Sequence, residues 1–188
     1  PELTIITPAA LQTEAERVAQ LHREEGLTVA VIEQEKIFNE FSSGTPDASA
    51  YRRLMKMFYD RAEGNENVRP RYLLLFGDGS YNNRKSMEKL HSPECNMLLT
   101  YQSKTSIDER ESFVIEDYFG FLEDNSGEEI KVDKVCLGIG RFPISSIKNA
   151  RLVVDKLYRY VHDKDFSSWK NNICIAADDG DEAIHAEQ

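Results

Sequence analysis

Two apolar runs, Leu3-Thr-Ile-Ile-Thr7 and Leu27-Thr-Val-Ala-Val-Ile32, bracket a stretch in which Leu11, Ala15, Val18, Ala19 and Leu21 recur at helical spacing. Pro8 closes the first run, and Gly26 is a natural C-terminal stop for the helix. A strand, a helix and a strand in that order make a right-handed crossover into a parallel sheet. Such a sheet carries helices on both faces, so the opening thirty-two residues decide the fold class.

The rest of the chain repeats the pattern. Glu35 to Phe41 reads as a short amphipathic helix. Asp47 caps a longer one running to about Glu63, with Tyr51, Leu54, Met55, Phe58, Tyr59 and Ala62 on one face. Tyr72 to Phe76 is a fully apolar strand that ends in Gly77-Asp78-Gly79-Ser80. Met97 to Tyr101 reads as a short strand, and Val114 to Leu122 as a helical turn or a hairpin arm. Val135 to Ile139 reads as a strand ahead of Gly140-Arg141-Phe142-Pro143. Ser145 or Ser146 caps a helix through about His162. A loop then carries Trp169, and Asn172 to Ala177 is the last expected strand. The expectation is a mostly parallel, three-layer α/β sheet.

Composition narrows the partners. At 40% hydrophobic and 30% charged residues the chain has a globular composition. Its net charge of −10 disfavours nucleic acid and anionic membrane, and leaves basic substrates or divalent cations open. No apolar run is long enough to span a membrane. Cys95, Cys136 and Cys174 make neither a disulfide framework nor a metal-ligand spacing, and the last two read as small core residues. The chain opens Pro1-Glu2-Leu3 and reads as an excised piece, so its start says nothing of localisation.

Chemistry concentrates in acidic turns at strand ends: Asp78, Asp117, and the run Asp178, Asp179 and Asp181. Carboxylates there would bind a hard cation or orient a histidine. Ordinary turn chemistry accounts for Asp78 equally well. Three carboxylates in four residues repel one another unless a cation offsets them, which favours a functional role for Asp178–Asp181. His22 and His162 read as surface or cap residues, and His91 lies in a polar loop. His185 falls one helical turn after Asp181. Arg141 is expected to pair with Asp117 or Asp178. Gly77-Asp78-Gly79-Ser80 lacks the Lys of a phosphate loop, and Gly138-Ile139-Gly140 lacks the third glycine of a dinucleotide site. No complete nucleophilic machine is visible. On residues alone, an acidic metal- or phosphate-handling domain and a non-catalytic binding domain stay open.

Four segments in order carry a resemblance: Tyr72-Leu-Leu-Leu-Phe-Gly-Asp-Gly79, Asp117-Tyr-Phe-Gly120, Gly138-Ile-Gly-Arg-Phe-Pro143 with its helix, and Ile173-Cys-Ile-Ala-Ala-Asp-Asp-Gly180. With them the chain resembles the gingipain-type cysteine peptidases over nearly its whole length. Asn39-Glu-Phe-Ser-Ser-Gly44 and the Ala-Asp-Asp-Gly-Asp run bring it closest to their sortase-like signal-peptidase branch of type IX secretion. The resemblance implies a caspase-like α/β fold. Residues 1–165 would be its N-terminal subdomain and 166–188 the opening strand and turn of the catalytic one. It implies cleavage of polypeptide by a His–Cys dyad that these residues do not contain, so the piece by itself is expected to be inactive. By position, Asp179 would orient the catalytic imidazole, and Asp181 or Glu182 would contact the substrate's side chain. Asp78 and Asp178 remain an acidic cluster without an assigned ion. No cofactor is required, and a structural calcium is compatible. The implied location is periplasm, outer membrane or cell surface. An edge left open by truncation would favour dimerisation.

Overall fold

The computed structural model describes residues 1–84, 97–105, 107–108, 110–127, 129, 132–165 and 167–174. Two compact units make up the chain, Pro1–Tyr158 and Arg159–Gln188. Among the described residues, the first unit holds four strands: β1 (Leu3–Thr7), β2 (Val29–Glu33), β3 (Tyr72–Phe76) and β4 (Gly138–Phe142). All pair in parallel, in the order β2-β1-β3-β4. The longer helices among the described residues are α1 (Gln12–Glu24), α2 (Gln34–Phe41), α3 (Ser49–Arg61) and α4 (Ile147–His162). Short 3-10 turns lie at Ala9–Leu11, Asp117–Gly120 and Ser168–Asn171.

Alternation along the strands divides the core into two layers. Leu3, Ile5 and Phe76 face α1 and α4, where Ala15, Val18, Ala19, Ala150 and Val154 bury their side chains. Ile6, Leu73 and Leu75 face the opposite way, onto Ile37 and Phe38 of α2, Tyr51, Leu54 and Met55 of α3, and Phe119. The leftward step from β1 to β2 runs over the α1 face, and the rightward steps run over the other, as a single crossover hand requires. Helix α1 ends as its glycine dictates. Gly26 takes φ +95°, its N–H reaches Arg23 O at 3.0 Å, and Leu27 N–H reaches His22 O at 3.0 Å. This is the paired bonding of a left-handed C-terminal cap.

Ion pairs tie α1 to α4. Arg17 donates to the buried Glu14 and to Asp155, both at 2.7 Å, and its main-chain carbonyl accepts from Tyr158 Oη at 2.9 Å.

Several expectations shift. The fourth strand is Gly138–Phe142, three residues later than Val135–Ile139, because pairing begins where Gly138 lies beside Tyr72. A Cβ on Gly138 would stand 3.3 Å from the Tyr72 ring, a close approach that suits glycine to this strand position, and the strand runs on through Gly140–Phe142, where the sequence reads its end. Met97–Tyr101 is no strand. It makes one isolated bridge, Met97 to Asp78, and runs on as buried extended chain. Val114–Leu122 contains a 3-10 turn at Asp117–Gly120. Residues 172–174 carry no strand, and the remainder of that expected strand lies outside the described residues. Cys136 is half-buried against the core and Cys174 is exposed, so Cys174 is no core residue.

Candidate site at the carboxyl edge of the sheet

The strand order reverses between β1 and β3. In open parallel sheets that switch point, beyond the carboxyl ends of the strands, is where ligands collect. The chain there is irregular and closely stitched. Asp78 accepts the Gly79 N–H at 2.8 Å through its own side chain, the turn role that its Asp-Gly setting allows. Leu98 N–H reaches Asp78 O at 2.7 Å. Thr100 Oγ1 donates to Ser80 O at 2.6 Å, and Asn83 exchanges hydrogen bonds with the Thr100 main chain at 2.8 and 3.1 Å. Below them, the fully buried Tyr51 donates to Gln34 Oε1 at 2.8 Å and accepts from Leu99 N–H. Gln34 in turn donates to Met97 O at 2.9 Å.

Arg141 of β4 is the cation of this edge. Its Nε and Nη2 bind the Glu116 carboxylate at 2.8 and 3.1 Å. Nη1 donates to Gly77 O and Asp78 O, each at 3.2 Å, and Nη2 also donates to Leu99 O at 3.1 Å. Five donors thus meet five acceptors, so the guanidinium has no N–H left for a substrate carboxylate. The expected pairing with Asp117 is corrected: the partner is its neighbour Glu116, whose carboxylate presents both oxygens to the planar fork. Burial pushes the Glu116 carboxyl above the usual range, Arg141 pulls it partway back, and Asp117 adds to the rise.

A cavity of about 230 Å³ opens here, lined by Asp78, Gly79, Ser80, Thr100, Glu116 and Arg141 among others. A larger apolar groove, about 540 Å³, lies elsewhere, over Leu3, Val18, Tyr72, Leu74, Gly140 and Leu157. The smaller cavity is the better candidate, because the larger is floored by aliphatic side chains, and its ionisable lining, His22 and Glu25, pair with each other at 3.0 Å.

Of the residues singled out in the sequence, Asp78 sits at this edge. Asp178, Asp179, Asp181, Glu182, His91 and His185 lie outside the described residues. Cys136 Sγ donates weakly to Lys134 O at 3.8 Å, and His22 is engaged by Glu25, so these two form no nucleophile–base pair. Among the described residues, no group of three His, Cys, Asp or Glu is placed to hold a metal. No helix there is long and apolar enough to cross a membrane. Sequence reasoning missed Glu116 and the Gln34–Tyr51 network. Glu116 differs from its neighbour Asp117 only by one methylene, and register alone selects it.

The fold defines an open, parallel, three-layer α/β domain with a polar cavity at the carboxyl edge of its sheet, the architecture of caspase-like peptidases. The model of peptidase family C25 matches residues 1–188, and the chain belongs to that family, the gingipain-type cysteine peptidases. The crystal structure of dimeric latent PorU from Porphyromonas gingivalis is similar to it. The two are 42% identical, with a TM-score of 0.78, over 94% of this chain and 17% of that one. No curated protein matches.

Proposed function

We propose that this chain is the N-terminal part of the catalytic domain of a sortase-like cysteine endopeptidase that processes secreted proteins. The observation that carries this reading is 42% identity to PorU over 94% of the chain, with the same fold. The described residues would supply scaffold and one wall of the substrate site. The reactive imidazole and thiolate would come from the parent polypeptide outside these 188 residues.

In this reading Asp179 orients the imidazole, and Asp181 or Glu182 meets the substrate's side chain. Asp78 and Asp178 are the carboxylates that would take a structural calcium. The substrate is polypeptide, no cofactor takes part in the chemistry, and the protein works in the periplasm, outer membrane or cell surface. A chain of net charge −10 offers nothing to a phosphate backbone.

The test is peptidase assay of the full-length parent beside the isolated 188 residues. The parent should cleave polypeptide and lose activity on thiol alkylation, and the 188 residues alone should show no turnover. Asp179→Asn in the parent should lower kcat by roughly 10²- to 10⁴-fold, the range over which loss of an oriented catalytic imidazole acts. Turnover by the 188 residues alone, or a parent indifferent to alkylation, overturns the reading.

A further inference from the structure

Four separate pieces of chain meet at one guanidinium: β4, the turn after β3, the segment around Leu99, and the lead-in to the Asp117–Gly120 turn. We infer that Arg141, paired with Glu116, is a positioning group for the substrate-binding wall. It sets where the Gly77–Ser80 turn and the Leu98–Thr100 segment stand, without itself touching substrate. This rests on the peptidase reading above.

Three observations point the same way. The guanidinium is saturated, so it has no hydrogen-bond donor to offer a ligand. Its main-chain acceptors lie in irregular chain at the strand's end: Asp78 O also accepts Leu98 N–H at 2.7 Å, while Gly77 O and Leu99 O are met by the guanidinium. The third is steric. A Cβ on Gly79 would stand 3.2 Å from Arg141 Cζ and Nη1, so the turn is built around the guanidinium at main-chain distance. Lysine cannot replace it, because one ammonium does not reach three carbonyls and both oxygens of a carboxylate from a single rotamer.

A wall that holds substrate before and during reaction lowers KM more than it raises kcat. Arg141→Lys and Glu116→Gln in the full-length parent should each raise KM by roughly tenfold, the scale of a lost charge-assisted hydrogen bond, with kcat within about twofold. The double variant should be no worse than the worse single one, since both remove one pairing. Hydrogen exchange supplies the second readout. In Arg141→Lys the amides of Asp78, Leu98 and Thr100 should exchange faster, while those of β1 and α1 keep their protection. A kcat loss at unchanged KM, or exchange that rises everywhere or nowhere, overturns the inference. If the wild-type parent cleaves nothing, it is the peptidase reading that falls. Exchange then still decides whether Arg141 sets the edge.

Discussion

Gly79 owes its identity to its neighbours. Its φ is not in the left-handed region, yet a Cβ would stand 2.8 Å from Thr100 Cγ2 and 3.2 Å from Arg141. Thr100 is held by Ser80 and Asn83, and Arg141 by five acceptors, so neither yields easily. Gly79→Ala should therefore cost about 2 kcal/mol through overpacking, read as a lower urea midpoint at unchanged slope. A second prediction concerns the sole tryptophan. Hydrogen bonds from the Ser167 side chain, from Trp169 Nε1 at 2.8 Å and from the Ser167 main chain hold the exposed Asp165 carboxyl down to about 2, against an ordinary 3.8. A depressed carboxyl contributes stability above its unfolded value and loses it as pH falls through the folded one. Trp169 emission should accordingly step near pH 2, and Asp165→Asn should remove the step. The sequence reveals Asp78 and Gly79 as turn residues. It hides what Gly79 packs against, because Thr100 and Arg141 are distant in the chain.

At the scale of elements, α2 and α3 meet the site through a polar link inside an apolar layer. Tyr51 is fully buried, stacks on Phe38 with ring centroids 5.7 Å apart, and joins Gln34 to Leu99. Tyr51→Phe keeps the stack and orphans two buried polar groups. The expected cost is about 2 kcal/mol, measurable in urea unfolding. Most elements are legible in the sequence. Leu3–Thr7, Tyr72–Phe76 and the helix over α4 stand where periodicity puts them, because each buries a continuous apolar face. The shift of β4 has a definite cause. Gly140 reads as a turn residue in one dimension, yet the sheet uses it as a strand residue, and the missing side chain of Gly138 lets Tyr72 lie close. Of the candidate site, the position of Asp78 is legible. The Glu116–Arg141 pair is not, since only the third dimension chooses between two adjacent carboxylates.

For the molecule as a whole, β4 ends the sheet on one side, with no strand beyond it among the described residues. Its exposed Gly140 lines the apolar groove over Leu74 and Leu157. An apolar groove beside a sheet edge invites a second copy. The chain should self-associate with rising concentration in sedimentation velocity. Gly140→Lys should suppress this without loss of stability, because a Cβ at Gly140 meets nothing within 4 Å and lysine blunts an edge.

The parallel register has a kinetic side. Leu3 must find Tyr72, and Tyr72 must find Gly138, before either ladder forms. Each search closes a long loop whose entropy is lost before any pairing compensates for it. Folding of this sheet is therefore slow relative to its size. In the interval its strands stay open to other unfolded chains, and aggregation competes with the native pairing.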